Sequence, residues 1–180
     1  MKNYQGILLI GTALLFGVPT LHAQTCNDSA TKTAPDSRYT DNGNGTVTDN
    51  QTGLMWKQCS EGLSNSDNAV PACDTGSAIT YTWQGALSHA QTVNSASFAG
   101  HSDWRLPNVK ELSSLVEMAC YWPAINVNRF PNTLSSGYWS SSPVADRSAS
   151  AWNVHFSVGS GGGNLKAGGH YYVRLVRGGQ

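Results

Sequence analysis

The sequence predicts an α+β domain, in which strands and helices occupy separate stretches of the chain rather than alternating regularly. Two observations predict it. Residues 104–106 read as a short Trp-Arg-Leu strand that stops at Pro107, and an amphipathic helical pattern begins directly after Asn108. Near the end of the chain, residues 173–177 interleave aliphatic side chains with arginines, a pattern typical of a β-strand.

The first 23 residues have the layout of a secretory signal peptide. Lys2 supplies the positive charge, residues 7–18 form an apolar run, and Ala23 is the last residue before the expected cleavage site. That run is too short to span a bilayer stably, and no other stretch of the 180 residues approaches the length that a span needs. We therefore expect an exported protein, periplasmic or secreted, with no membrane span after cleavage of the signal.

Residues 24–37 are polar and contain Pro35, which predicts an N-terminal tether, and residues 38–180 form the predicted domain. The domain opens with short strands at residues 38–40, 46–48 and 54–56, separated by turns rich in Asn, Asp and Gly. The first turn carries several side-chain oxygens, but glycines stand where an EF-hand calcium loop needs ligands. No metal site and no cofactor are predicted.

Two helices are predicted from apolar residues that recur with helical spacing. The first begins after its N-cap Thr82 and ends near Val93, and the second covers residues 109–119. Asn108 and Glu111 have the spacing of a capping box, in which each side chain bonds the backbone N–H of the other residue. The apolar stripes consist of Trp83, Ala86, Leu87, Ala90 and Val93 in the first helix and of Val109, Leu112, Leu115, Val116 and Ala119 in the second.

After residue 120 the helical period disappears, and proline, glycine and serine punctuate short strands. Strands are predicted at residues 138–140, 151–156 and 171–176, and the glycine-rich residues 158–169 are predicted to form a hairpin or a loop. The 6 tryptophans are spread through the domain. Most are expected in the core, where large rings bury much area, and one or two are candidates for a sugar-stacking surface.

The 4 cysteines all follow the signal, and an even number in an exported chain indicates two disulfides. Three pairings are possible. We expect Cys59–Cys73, which closes a polar loop, and Cys26–Cys120, which ties the N-terminal segment to the domain. A zinc site is the competing interpretation, and the absence of a Cys-x-x-Cys pair in the sequence argues against it.

Charge is distributed unevenly although the whole chain is neutral. Residues 24–119 hold 5 basic and 10 acidic side chains, whereas residues 120–180 hold 5 basic and 1 acidic. The C-terminal third therefore either presents a basic face to an anionic partner or contains structural arginines. Arg105 alternates with apolar neighbours, so we expect it to pair with a carboxylate or with backbone carbonyls. Arg174 and Arg177 are further candidates for internal pairing.

Several motifs carry a family resemblance, in the order DNGNGTVTDNQTGLMWK, TWQGAL, FAGHSDWRLPNVKELSSLVE, INVNRFPNT, YWSSSP and YYVRLVRGG. With them, residues 38–180 resemble the Lcl C-terminal domain family, named for the terminal domain of a bacterial collagen-like adhesin. The resemblance implies an exported bacterial domain, with glycan binding as its best precedent. WRLPN and VRLVRGG also resemble the C-type-lectin-like and formylglycine-generating-enzyme fold group, which implies two helices flanking a small twisted antiparallel sheet. A likeness of fold transfers no activity, and the late cysteine pair of those enzymes has no counterpart after Cys120.

The residues available for binding lie in the last third of the chain. Alternate side chains of the strand at residues 151–156 point to opposite faces, so a polar outer face is expected there and in the following loops. The predicted ligand-binding residues are Asp146, Arg147, Asn153, His155, Asn164, Lys166, His170 and Tyr172. Their hydrogen-bonding groups, cations and aromatic ring suit a glycan, including an anionic one, or an extracellular protein. An ordinary solvated sheet face explains the same residues equally well.

Other function classes find less support in the sequence. It contains no serine-nucleophile or zinc-protease motif, and His101, Asp103 and His155 lack the neighbours that would commit them to acid–base catalysis. The glycine run lacks the ending of a phosphate-binding loop, and no nucleic-acid motif occurs. We therefore expect a non-catalytic binding module of adhesin or lectin type. The alternatives are a structural or assembly component of the bacterial envelope and an enzyme of unknown chemistry.

Overall fold

The computed structural model describes residues 23–67 and 71–178. The predicted signal peptide lies outside the described residues, apart from Ala23. The strands within the described residues are β1 (Thr25–Cys26), β2 (Tyr39–Asp41), β3 (Thr46–Asp49), β4 (Met55–Lys57), β5 (Leu63–Ser64), β6 (Thr75–Gly76), β7 (Thr80–Tyr81), β8 (Cys120–Tyr121), β9 (Gly137–Val144), β10 (Arg147–His155), β11 (Ser160–Leu165), β12 (Tyr171–Tyr172) and β13 (Val176–Arg177). The helices are α1 (Trp83–Ser95) and α2 (Val109–Ser113), with 3₁₀ turns at Asp36–Arg38 and Phe98–Gly100.

The strands form two larger sheets and two small ones. The five-stranded sheet has the order β11-β10-β9-β12-β7, and the four-stranded sheet has the order β13-β4-β3-β2. Neighbouring strands are antiparallel except β9 and β12, which pair in parallel. The mixture of helices and sheets predicted from the sequence is confirmed. The glycine-rich segment that was predicted as a hairpin or a loop forms a hairpin, in which β11 pairs with β10. The expectation of one small antiparallel sheet was wrong, because short strands outside the predicted set, such as β5 and β6, form further pairs.

The two helices pack on opposite faces of the five-stranded sheet. Leu112 of α2 belongs to one core cluster together with Tyr138 and Val154. Ala86 of α1 belongs to a second cluster together with Trp139. Consecutive strand residues point to opposite faces, so Tyr138 and Trp139 place these clusters on the two sides of β9. The sheet is therefore covered on both sides, and its central strands are buried.

Helix α1 begins as predicted, and α2 is shorter than predicted. The Thr82 hydroxyl accepts a hydrogen bond from the backbone N–H of Gly85 at 3.2 Å and caps α1. The capping box of Asn108 and Glu111 is present at the start of α2. The helix ends at Ser113, and the following backbone continues in single-turn bonds, such as that from Val116 to Ser113. The prediction of a helix to residue 119 was wrong, because these turns bury the same apolar stripe without helical geometry.

The N-terminal segment is packed against the domain, so the prediction of a tether at residues 24–37 was wrong. Strand β1 pairs with β8, and Ala34 is only 1% exposed. The buried carboxylate of Glu117 accepts hydrogen bonds from the backbone N–H groups of Thr33 and Ala34 at 3.0 and 2.8 Å. A polar sequence reads as a tether, but here its backbone donors are satisfied by this carboxylate.

Both expected disulfides are present. Cys59–Cys73 has a Cα–Cα distance of 5.4 Å, and Cys26–Cys120 has one of 4.0 Å. No cysteine is free. In the chain-entropy model the short bridge contributes about 3 kcal/mol and the long one between about 4 and 5 kcal/mol to the free energy of unfolding.

The C-terminal segment passes from one sheet to the other. Strand β12 lies between β9 and β7, and β13 pairs with β4 at the edge of the four-stranded sheet. The predicted continuous strand at residues 171–176 is interrupted, because residues 173–175 form the buried crossing. The predicted strand at residues 104–106 is reduced to one antiparallel bridge between Arg105 and Val176.

Candidate functional site

The predicted ligand-binding residues do not form one face. Asp146 and Arg147 lie at the exposed turn between β9 and β10, with Nε and Oδ1 3.7 Å apart. The ammonium group of Lys166, just beyond β11, donates to the carbonyl of Ser148 at 2.8 Å and lies 4.5 Å from the centre of the Trp83 ring. His170 is exposed ahead of β12. Arg147 and Lys166 therefore lie near the same end of the five-stranded sheet, and Lys166 contacts the protein itself.

Asn153 was predicted on the exposed face and is instead 3% exposed. Strand β10 lies between β9 and β11, and Asn153 stands opposite Trp139 on the side that faces the α1 core. Its Nδ2 finds no hydrogen-bond partner within the described residues. Asn164 lies on the same face across from Ala151 and is half-buried. Burial of both faces of β10 thus removes Asn153 from any exposed site.

His155 lies at the other end of β10, close to Ser157. Its Nδ1 is 2.7 Å from the hydroxyl oxygen of Ser157. The carbonyl of Ser157 accepts the backbone N–H of Trp122 at 2.8 Å. His155 therefore belongs with the Tyr121–Trp122 segment and lies apart from Arg147 and Lys166 along β10.

The arginines of the C-terminal third are mostly used inside the protein. Arg174 is fully buried, and burial lowers the pKa of its guanidinium, which donates to the carbonyls of Lys57 and Gln58. Arg177 donates to Asp103 at 2.7 Å, and this hydrogen bond lowers the pKa of the carboxyl. The sequence excess of positive charge therefore does not produce a continuous basic face.

Arg105 is a structural arginine, as predicted. Its two terminal nitrogens each donate to one oxygen of the Glu111 carboxylate at 2.8 Å. One of them also donates to the carbonyl of Gly178 at 2.8 Å. Because Glu111 belongs to the capping box of α2, Arg105 connects this helix to the C-terminal segment.

A groove of about 800 Å³ contains Tyr172, one of the predicted ligand-binding residues. We call it the Tyr172 groove. One wall is the β5–β6 hairpin, and the other is the segment from residue 123 to residue 135. Its lining consists of Gln24, Leu63, Cys73, Asp74, Gly76, Ser77, Ala78, Pro123, Val127, Asn132, Thr133, Leu134, Ser135 and Tyr172. The volume lies within the range of pockets that hold small ligands.

A disulfide fixes one wall of the groove, and hydrogen bonds connect that wall to the other. The Cys59–Cys73 disulfide closes the β5–β6 hairpin. Asn132, in the opposite wall, donates through Nδ2 to the carbonyls of Ala72 at 2.9 Å and Cys73 at 3.3 Å. The amide of Asn132 therefore connects the two walls of the groove.

The wall formed by residues 123–135 contacts buried polar side chains of the core. The Thr133 hydroxyl accepts from Arg174 at 2.8 Å and donates to the carbonyl of Phe130 at 2.7 Å. The Tyr138 hydroxyl accepts from the backbone N–H of Leu134 at 3.1 Å. The Tyr172 ring packs 5.6 Å from the Tyr138 ring, with 38° between their planes. The groove is therefore built on rigid elements rather than on an isolated loop.

The electrostatic character of the groove is neutral to acidic. No lysine or arginine is present among the described residues that line it. Asp74 is its one carboxylate, and hydrogen bonds from the side chain and backbone of Ser66 hold the pKa of this carboxyl below its ordinary value. The lining otherwise presents hydroxyl and amide groups beside apolar surface, which suits hydrogen bonding to an uncharged polar ligand.

Tyr172 is the one residue of this groove that was predicted from the sequence to bind a ligand. The motif INVNRFPNT was recognised as a family feature, but Asn132 and Thr133 within it received no role. The signal that could have identified them is a pair of polar residues directly after Pro131, because polar residues next to a proline often form exposed turns. Asn132 indeed has a positive φ of 50°, and its side chain donates to the carbonyl of Ala72 in the opposite wall.

The residues considered for catalysis do not converge on the groove. Asp103 is paired with Arg177, and the His101 ring lies 6.4 Å from the Trp104 ring. Neither residue lines the groove. Within the part of the chain that the structure describes, no three His, Cys, Asp or Glu side chains are grouped so that they could hold a metal ion.

No helix among residues 23–67 and 71–178 is long and apolar enough to cross a membrane.

Comparison with known proteins identifies the family. The search of curated proteins gives no match. The family model of the Lcl C-terminal domain matches residues 45–177, which include both helices and both walls of the groove. The chain therefore belongs to the Lcl C-terminal domain family.

Proposed function

We propose that this chain is an exported, non-catalytic binding module that holds an uncharged glycan in the Tyr172 groove. One observation carries the proposal: a half-buried tyrosine ring lies among hydroxyl and amide groups in a groove without lysine or arginine. A sugar presents hydroxyls at its edge and C–H groups on its faces, so it needs such a combination of polar groups and an aromatic surface. Tyr172 supplies the ring, and Ser77, Asn132 and Ser135 supply polar groups.

The charge of the lining favours a neutral glycan over an anionic one. Sulfate or carboxylate groups on a glycan are generally bound by arginine or lysine, because charge-assisted hydrogen bonds are about twice as strong as neutral ones. The groove offers Asp74 instead, which would repel an anion. The predicted cations Arg147 and Lys166 lie outside the lining.

The fold and the cysteines support the remaining parts of the proposal. Two helices on opposite faces of a sheet fit the C-type-lectin-like arrangement that the sequence resemblance implies. Two disulfides and the absence of a free cysteine suit an oxidising compartment, periplasmic or extracellular. The lining brings together no pair of titratable groups suited to acid–base chemistry, which favours binding over catalysis.

Affinity electrophoresis tests this proposal. The mature protein is run in native gels that contain laminarin, xylan, galactomannan, dextran or heparin. We expect retarded migration in at least one neutral polysaccharide and none in heparin. Retardation in heparin alone, or in no gel, would overturn the proposal.

A blocking variant locates the binding. Ser77 is an exposed residue of the groove, so Ser77→Trp fills the groove without disturbing the core, and it should abolish retardation. Ser148 is exposed at the start of β10 and outside the groove, so Ser148→Trp is the matched control and should bind normally. Equal behaviour of the two variants would place the ligand elsewhere. Thermal melts confirm that both are folded.

A further inference from the structure

We infer that Asn44 is a site of spontaneous modification, at which the side-chain amide is lost and aspartate and isoaspartate form, while the nearby Asn42 stays intact. Both residues lie in the turn between β2 and β3, and each is followed by a glycine. The inference concerns the chemistry of this turn and is independent of the proposed binding function.

The reaction needs only the chain itself and water. The backbone nitrogen of Gly45 loses its proton and attacks Cγ of Asn44. A new C–N bond forms, the bond from Cγ to Nδ2 breaks, and Nδ2 takes up a proton and leaves as ammonia. Water then adds to one of the two carbonyls of the resulting succinimide ring. One ring opening gives aspartate, and the other gives isoaspartate, in which the main chain runs through the former side chain.

Both asparagines of the turn meet the general conditions for this reaction. A side chain on the following residue would crowd the attacking nitrogen, and Gly43 and Gly45 have none. The two glycines have positive φ values of 69° and 79°, which residues with a side chain rarely adopt. Asn42 and Asn44 are both exposed to water. Sequence and exposure therefore give them the same reactivity, and only their hydrogen bonds distinguish them.

The side chain of Asn42 is held away from the nitrogen that would attack it. Its Nδ2 donates to the hydroxyl oxygens of Thr46 at 2.9 Å and Thr48 at 3.0 Å, across the hairpin on β3. The N–H of Gly43 donates to the Asp41 carboxylate at 2.9 Å. That carboxylate disfavours loss of the Gly43 proton, because two negative charges would then lie side by side. Attack on Asn42 also requires these hydrogen bonds to break, which raises its barrier.

The side chain of Asn44 is held in the opposite sense. Its Oδ1 accepts a hydrogen bond from the Thr46 hydroxyl at 2.6 Å. A bond to a residue two positions ahead keeps the carboxamide beside its own following peptide, where the nitrogen of Gly45 lies. Negative charge develops on Oδ1 during the attack, and the Thr46 hydroxyl is in position to stabilise it. Thr46 is buried, so this donor is firmly placed.

The same threonine connects the two asparagines in one directed chain of hydrogen bonds. Nδ2 of Asn42 donates to Oγ1 of Thr46, and this hydroxyl donates to Oδ1 of Asn44. Hydrogen bonds in such a chain polarise one another, so the first strengthens the second. The contact that immobilises Asn42 therefore also favours the attack on Asn44, and the folded turn makes two similar residues unequal.

Peptide mapping of incubated protein tests the inference. The mature protein is kept at mildly alkaline pH and digested, and electron-transfer fragmentation distinguishes asparagine, aspartate and isoaspartate at each position. In the folded parent we expect Asn44 to be modified about tenfold faster than Asn42. In protein that is reduced and unfolded in guanidinium chloride, the two should react at similar rates, because the hydrogen bonds are absent. Equal rates in the folded protein, faster modification of Asn42, or an intact Asn44 would each overturn the inference.

Two threonine variants test the cause. Thr46→Val keeps the shape of the buried side chain and removes its hydroxyl, so it should slow the modification of Asn44 by about fivefold. Thr48→Val removes a hydroxyl that bonds Asn42, and this matched control should leave the rate at Asn44 unchanged. Thermal melts confirm that each variant is folded during incubation. An unchanged or higher rate at Asn44 in folded Thr46→Val would overturn the inference, and the comparison of folded with unfolded parent decides it without any variant.

Discussion

Replacement of the buried Arg174 by methionine should destabilise the domain strongly. Methionine matches the aliphatic stem of arginine and ends near the position of Nε, so the change removes the guanidinium carbon and both terminal nitrogens and leaves a small cavity lined by polar groups. In the native protein this group donates to the carbonyls of Lys57 and Gln58 and to the hydroxyl oxygens of Ser60 and Thr133. The hydroxyls can turn to other partners, but the two carbonyls cannot move away from the cavity.

The magnitude follows from those two carbonyls and from the benefit of removing a buried charge. A buried polar group that loses its partner costs about 1–3 kcal/mol, so the two carbonyls together cost about 2–6 kcal/mol. Removal of the buried cation also removes its desolvation cost, which offsets part of this loss of stability. The net effect of disrupting a buried charged network is still destabilising, by about 3–5 kcal/mol. For a domain of this size each kcal/mol lowers the Tm by about 2–4 °C, which predicts a fall of about 10 °C.

Calorimetry of the parent and of Arg174→Met measures this fall in Tm. Arg147→Met is the matched control, because the same chemical change is made on a side chain that is 57% exposed, and its Tm should stay within about 2 °C of the parent. A Tm for Arg174→Met equal to or above that of the parent would refute the reasoning. It would mean that desolvation of the cation outweighs all of its hydrogen bonds.

Three further predictions concern the other charged residues. Arg105→Ala should lower the Tm through loss of a bidentate ion pair, and an unchanged Tm with weaker glycan binding would show that its role had been misassigned. Burial acts to raise the pKa of Glu117, but backbone hydrogen bonds from Ala119, Ala34 and Thr33 outweigh it and keep the pKa below 4.5. This stabilisation is present above about pH 4.5 and is lost as the pH falls through the lower folded pKa. Melts of Glu117→Gln should therefore differ from the parent more at pH 7 than at pH 3, and a constant difference would contradict the assignment. The parent should pass a heparin column unretained at about 0.15 M salt, and retention that disappears in the triple variant Arg147→Ala, Lys166→Ala, His170→Ala would instead establish an anionic ligand.

Local patterns in the sequence were sufficient for the elements whose cause is local. The caps at Thr82 and Asn108 use side chains within three residues of the bonds that they make, so their spacing is visible in the sequence. The disulfide pairing also followed from local reasoning, because Cys59 and Cys73 enclose a short polar loop. Arg105 was placed correctly because strand alternation assigns its face.

The misplaced residues depend on contacts between distant parts of the chain. Asn153 reads as exposed from strand alternation, but β11 pairs along β10 and the α1 core covers its face, so the residue is buried. Residues 24–37 read as a tether because their partner, Glu117, lies more than eighty positions away. The Tyr172 groove was missed for the same reason, since its two walls come from segments about sixty residues apart that meet only in the folded chain.

The crossing of residues 173–175 between the two sheets has a consequence for how the domain forms. Strand β12 occupies an interior position of one sheet and β13 an edge of the other, so the last residues of the chain contribute to both. Neither sheet is complete until β12 and β13 have paired, and each of their pairings joins segments that are far apart in the sequence. A chain that emerges from its N-terminus first therefore stays incomplete until its last segment is released.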